Sequence, residues 1–195
     1  MPSSASRVDG VAAALHAAAE LILADVRALR APAPVVLIDG RSGAGKSSLA
    51  RELVARWPGG GPVQLVALDS LYPGWDGLDA GVEYAREHVL APHAAGRVGV
   101  WRRWDWEDDV RAEAHAVTAS LPLVVEGSGI LTPATAGLGD LRVWLESPEE
   151  SRRERALTRD GDAYRPHWTR WADQEQRHVA RDEPARHATR VCDVP

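Results

Sequence analysis

Pro34-Val35-Val36-Leu37-Ile38-Asp39-Gly40-Arg41-Ser42-Gly43-Ala44-Gly45-Lys46-Ser47 is the stretch that decides how this chain folds. Its first six residues are an apolar, β-branched run of the kind that forms a buried strand. Gly40 to Ser47 then reads G-x-x-x-x-G-K-[ST], in which glycines let successive N–H groups curl round one concavity that suits an anion. Beyond it, Ser48-Leu49-Ala50-Arg51-Glu52-Leu53-Val54-Ala55-Arg56-Trp57 sets Leu49, Leu53 and Val54 on one helical face and stops at Pro58-Gly59-Gly60-Gly61-Pro62. A strand, a glycine loop and a helix in this order make a phosphate site. The helix N-terminus adds partial positive charge, Lys46 reaches β- and γ-phosphates, and the Ser47 hydroxyl can ligate Mg²⁺. The expected nucleotide-binding residues are Gly40, Arg41, Ser42, Gly43, Ala44, Gly45, Lys46, Ser47 and Ser48.

Outward from this unit, strands alternate with helices. Residues 8–30 read as an amphipathic helix with Val11, Leu15, Ala18, Ala19 and Ile22 in phase. Residues 63–68 form a second strand ending at Asp69, 121–125 a third ending at Glu126-Gly127, 141–145 a fourth and 189–194 a fifth. Such alternation implies an α/β fold, a parallel sheet covered on both faces. Ligands bind at the carboxyl ends of its strands, where Asp39, Asp69 and Glu126 fall.

Between strands two and three lies an insertion of about residues 70–106. Ser70 to Leu78 is rich in turns, a short helix follows over 82–90, and Arg97 to Trp106 reads as an extended strand. Alternation there puts Trp101, Arg103 and Asp105 on one face and Val100, Arg102, Trp104 and Trp106 on the other. Glu107-Asp108-Asp109 favours the start of a helix near Val110. Ser147-Pro148-Glu149-Glu150 reads as a capping box with proline at the first helical position. On that helix Arg152, Arg155 and Arg159 recur at i, i+3 and i+7, one face, before Asp160-Gly161-Asp162 breaks it.

Composition narrows the function. The 195 residues are 45% hydrophobic and 26% charged, which suits one globular domain and excludes global disorder. A net charge of -5 argues against a protein that clamps nucleic acid. The single cysteine, Cys192, excludes an internal disulfide and paired-cysteine zinc sites, as in a reducing cytoplasm. The seven histidines show no ligand spacing. No run of eighteen apolar residues is present, and the stretch from Met1 to Arg7 lacks a signal peptide's basic start, so neither membrane nor export is expected. Lysine is nearly eliminated, one against 22 arginines, and the one that remains is Lys46.

These residues resemble the P-loop nucleoside and small-metabolite kinases, and within them the uridine kinase-like proteins. The likeness rests on Gly40 to Ser47, on Leu68-Asp69-Ser70-Leu71-Tyr72, on Val124-Val125-Glu126-Gly127, and on Arg152 to Asp160 as the arginine-bearing lid. It implies a P-loop kinase-type three-layer sandwich over residues 1–195, with a central five-stranded parallel sheet. A small acceptor-binding insertion (about 70–106) and a helical lid region (about 148–183) complete it. It also implies ATP and Mg²⁺ as cofactors, a small-molecule phosphoryl acceptor as partner, Asp69 as base for the acceptor hydroxyl, and Glu126 beside Ser47 at the metal. Lys46, Arg155 and Arg159 would stabilise charge during transfer. The family's base- and ribose-recognition segment has no counterpart here. Tyr72 to Leu78 and Arg103-Trp104-Asp105-Trp106 stand in its place, which makes Tyr72, Trp75, Arg103 and Asp105 the expected acceptor contacts. A GTPase switch would need an N-K-x-D element, and no second lysine exists. A nucleotide-binding regulator without turnover, or a kinase of a sugar or antibiotic, stays open.

Overall fold

The computed structural model describes residues 4–195, with side chains from Asp9 onward. Met1, Pro2 and Ser3, the start of the stretch expected to lack a signal peptide, lie outside it. In chain order the elements are α1 (Ser4–Ala28), β1 (Val35–Gly40), α2 (Lys46–Ala55), β2 (Gln64–Ala67) and a 3₁₀ turn (Leu68–Ser70). Helix α3 (Leu78–Ala85) runs through a π-helical turn (Arg86–Leu90) into α4 (Ala91–Ala94), followed by β3 (Gly99–Asp105) and β4 (Val110–Val117). Then come β5 (Leu123–Glu126), β6 (Leu141–Glu146), α5 (Glu149–Tyr164), α6 (Trp168–Asp182), α7 (Pro184–His187) and β7 (Arg190–Asp193).

Five strands form one parallel sheet in the order β2-β5-β1-β6-β7. The central strand β1 is buried along its whole length, as a run without polar alternation should be when both faces are covered. Val36 and Ile38 pack into the layer of α1 and α2 with Leu15, Ile22, Leu49 and Leu53. Val35 and Leu37 face the other layer, with Leu78 and Val82 of α3, Ala156 of α5 and Trp168 and Trp171 of α6. Each such side chain contributes roughly 1.5–3 kcal/mol by leaving water, so burial, not helix or strand propensity, fixes the sandwich. Register does the rest: Glu126 lies opposite Ile38 on one side and Ala67 on the other, which brings the carboxyl ends of β1, β2 and β5 together. Among the described residues, no helix is long and apolar enough to cross a membrane.

Three local expectations are corrected. No helix starts near Val110. β3 and β4 form an antiparallel hairpin, whose turn is closed by Asp105 Oδ1 accepting from the Glu107 and Asp108 amides, with Asp109 at a positive φ of 56°. The acidic run serves a turn, not a helix N-terminus. The register of that hairpin shifts between Arg102 and Trp104, so the strict two-face alternation of the tryptophans ends there. The capping box does not form either: Pro148 caps α5 without a side-chain bond, and the Ser147 hydroxyl instead accepts from Arg155. The break expected at Asp160-Gly161-Asp162 is present: Gly161 leaves helical geometry at φ 57° and ψ -133°, and a second helical stretch follows it to Tyr164.

Candidate active site

The phosphate loop leaves β1 and turns tightly over the N-terminal end of α2. Gly43 has φ 80°, and a Cβ there would meet the Arg152 carbonyl oxygen at 2.1 Å, so no larger residue fits. Gly45, at φ 103°, is the left-handed residue that starts α2. The first-turn amides of α2 have no preceding turn to bond and stay open to an anion. Lys46 is buried, its ammonium donating to Arg41 O and to Ser128 Oγ, both at 3.2 Å.

Ser47 Oγ donates to Glu126 Oε1 at 2.8 Å. Burial pushes the Glu126 carboxyl above its usual range, while the Lys46 charge pulls the other way. Two oxygen groups from different elements thus meet beside the loop. No group of three or more potential ligands among His, Cys, Asp and Glu exists among the described residues. A serine and one carboxylate fit Mg²⁺, which keeps its remaining positions for water and phosphate oxygens.

Asp69 sits in the turn after β2. That turn is closed by the Leu71 and Tyr72 amides donating to Leu68 O at 2.7 and 3.0 Å, so the Asp69 carboxylate is not spent on capping it. Trp106 Nε1 donates to the Asp69 carbonyl at 2.8 Å and ties the hairpin to this turn. Tyr72 is buried and donates its hydroxyl to Ser128 O at 2.7 Å. Burial first, then the charge of Asp69, holds its phenol well above the ordinary tyrosine range.

These groups line one cleft of about 820 Å³. Ser42, Ser47 and Glu126 border its phosphate end, and Asp69, Tyr72, Trp75, Trp106, Tyr164 and Trp171 its other end. The rings pack edge and face: Trp75 with Trp106 at 4.9 Å between centroids and with Tyr164 at 5.5 Å, Tyr72 with Trp171 at 4.8 Å. His167 stacks behind Trp75 at 4.1 Å.

The arginine face divides. Arg159 lines the cleft, paired with Asp160 at 2.6–2.7 Å. Arg155 does not reach it; its guanidinium donates to Gly43 O at 2.8 Å, to Ser147 Oγ and to Pro195 O. Arg152 is buried and donates to Ser147 O and Ser42 O. Both therefore brace the outside of the phosphate loop, because α5 is pressed against Gly43. Arg103 and Asp105 also lie off the cleft. Arg103 donates to Glu113 at 2.6 Å and to Asp105 at 2.8 Å, and Asp105 is committed to the hairpin turn. From the hairpin it is Trp106, in the turn after β3, that lines the cleft. Arg41 points to Gln176 on α6 at 2.7 Å, and Ser48 is exposed one residue past Ser47.

Sequence reasoning missed Ser128 and the buried polar face of α6. Gln174 Nε2 donates to Trp75 O at 2.7 Å, Glu175 accepts from the Ser42 amide at 2.7 Å, and His178 bridges Asp39 at 3.1 Å and Asp182 at 2.8 Å. Asp39 in turn accepts from the Gly40, Gly129 and Leu131 amides and fixes the floor of the site. One signal was readable: Gln174, Glu175, His178 and Asp182 share the helical phase of Trp168 and Trp171, which is unusual on a face that packs inward.

No protein-family model matches the sequence, and no curated protein matches it. Solved structures do. The chain is similar to a possible uridine kinase from Bacillus stearothermophilus, with 19% identity and a TM-score of 0.69 over 92% of this chain and 99% of that one. It is also similar to a candidate fructose transport system kinase from Silicibacter sp. TM1040, with 20% identity and a TM-score of 0.57 over 89% and 97%. Strand order, loop and helix placement and this likeness agree: the chain has the P-loop kinase fold.

Proposed function

We propose that this chain is an ATP- and Mg²⁺-dependent phosphotransferase acting on a hydroxyl of a small molecule, of nucleoside or sugar size. The observation that carries this reading is one cleft shared by the phosphate loop, the Ser47–Glu126 oxygen pair and an Asp69 side chain whose carboxylate accepts no hydrogen bond among the described residues. The two kinases of similar fold are named for uridine and for fructose transport, both hydroxyl compounds.

Phosphoryl transfer asks a protein for position and charge neutralisation more than for covalent chemistry. Lys46 and the open amides would hold the β- and γ-phosphates. Ser47 and Glu126 would hold Mg²⁺, whose charge offsets that of the transferring group. Asp69 would take the acceptor's proton as its oxygen bonds to the γ-phosphorus and the bond to the β–γ bridging oxygen breaks, releasing ADP. Arg159, at the bend of α5, would offset the charge on the equatorial oxygens, with the 148–183 region as a lid. The aromatic wall would seat the acceptor and exclude water.

An ATP-consumption screen with Mg²⁺ over nucleosides, sugars and aminoglycoside-like alcohols tests this. Acceptor-dependent ADP release with a phosphorylated product is the expected result. ATP binding without transfer to any hydroxyl would favour the regulatory reading instead.

A further inference from the structure

Glu175 serves none of the roles above. It stands in the middle of α6 and is 2% exposed. One oxygen, Oε1, accepts three hydrogen bonds: from the Ser42 amide at 2.7 Å, the Ser128 hydroxyl at 2.8 Å and the Trp171 indole at 3.1 Å. Two of these donors belong to the phosphate end of the cleft. Ser42 lies within the loop, and Ser128 Oγ is 3.2 Å from the Lys46 ammonium. The third, Trp171, lines the aromatic wall.

An amide nitrogen carries one hydrogen. While Ser42 donates it to a carboxylate, it has none for a phosphoryl oxygen, and bonds to a charged acceptor are the stronger kind. A phosphate brought to the same amide meets this competition and also like-charge repulsion in a place shielded from water. Position decides which phosphate is affected. Glu175 is one hydroxyl away from Lys46, the residue that reaches the β- and γ-phosphates, so the repulsion acts where those groups lie and is greater for a triphosphate, which places one more charged group there than a diphosphate does.

We propose that Glu175 is a resident anion of the phosphate loop. It holds the Ser42 amide until a terminal phosphoryl group takes it, and so sets the loop's relative affinity for tri- and diphosphate. The inference rests on the phosphotransferase reading and adds to it a specificity-determining residue. Yielding Ser42 also disturbs the bond to Trp171, so triphosphate loading is felt at the aromatic wall. The backbone of α6 need not move, since Gln174 and His178 keep it anchored to Trp75 and Asp39.

The test uses the full chain, with Mg²⁺ and either the β,γ-imido analogue of ATP or ADP, read by calorimetry and tryptophan fluorescence. Glu175→Gln keeps shape and an accepting oxygen but removes the charge. It is expected to bind the imido analogue on the order of tenfold more tightly than the wild type, about 1.4 kcal/mol, with a clearly smaller gain for ADP. In the wild type the analogue should change the fluorescence more than ADP does, and Trp171→Phe should remove that excess. Equal or weaker analogue binding by Glu175→Gln, or an equal gain for ADP, overturns the proposal. So does an identical fluorescence response to both nucleotides in the wild type, a comparison that stands even if the variant fails to fold. A wild type that binds neither nucleotide removes the phosphotransferase reading and this inference together.

Discussion

The phosphate end of the cleft rests on one continuous loop, Gly40 to Ser47, with Glu126 beside it, whereas the aromatic end is drawn from five separate segments. Tyr72 comes from the turn after β2, Trp75 from the loop before α3, Trp106 from the hairpin turn, and Tyr164 and Trp171 from α5 and α6. The first end is set by backbone geometry, tight enough that Gly43 admits no Cβ. The second is set by side chains packing over one another, where a lost ring leaves its neighbours in place. Damage should therefore be all-or-none at the loop and graded at the wall.

Lys46→Ala is the harshest way to test that difference. Removing the only ammonium near the loop should cost on the order of a thousandfold in turnover, comparable to losing a group that neutralises transition-state charge, and should weaken ATP binding by calorimetry. Turnover within tenfold of wild type would end the comparison. Asp69→Asn comes next. It keeps the shape but cannot take a proton, so kcat should fall on the order of a hundredfold with affinity for the imido analogue unchanged. A simultaneous loss of that affinity would mean that Asp69 serves the phosphate end.

At the wall, Trp106→Ala should raise the acceptor KM by about tenfold, the equivalent of about 1.4 kcal/mol, and leave nucleotide affinity alone. A loss of all turnover would show the wall to be as brittle as the loop. His178 sharpens the comparison through stability. Both of its ring nitrogens face carboxylates, and an imidazole has two N–H groups only when protonated. Burial opposes that charge, yet the bonds to Asp39 and Asp182 outweigh it and raise the pKa. The contribution is thus present in full below about pH 6.5, the ordinary histidine value, and is lost as pH rises through the higher folded value. Thermal melts should show the wild type losing stability as pH rises above about 6.5, a loss that His178→Gln does not repeat. Arg103→Ala should do least. Its partners Glu113 and Asp105 lie on the hairpin surface, where solvent screens such pairs, so turnover should stay near wild type. A marked rise in acceptor KM would return Arg103 to the wall.

The same contrast explains what could be read from residues alone. Strand β1, the loop and α2 were legible because a buried run, positive-φ glycines and a helical apolar face are local properties. The other four strands of the sheet were found within a few residues for the same reason. Glu107 to Asp109 misled, since an acidic run at a turn and at a helix start look alike until Asp105 is seen bonding both amides. The arginine spacing identified one helix face correctly, but not that Gly43 draws its first two members behind the loop. The contacts of Glu175 with Ser42 and of His178 with Asp39 were illegible because those partners lie more than a hundred residues away in sequence.

The solitary Lys46 has a practical side. With one side-chain amine in 195 residues, acylating reagents have a single internal target, and it lies in the nucleotide loop with its nitrogen bound to Arg41 and Ser128. A brief acylation pulse, read by mass spectrometry on the peptide that carries Lys46, would thus report loop occupancy at one internal site, apart from the α-amine. A lysine-specific protease would find a single bond to cut, between Lys46 and Ser47, and nucleotide should shield it. Immobilisation and cross-linking meant to leave the loop intact would have to go through the 28 carboxylates instead.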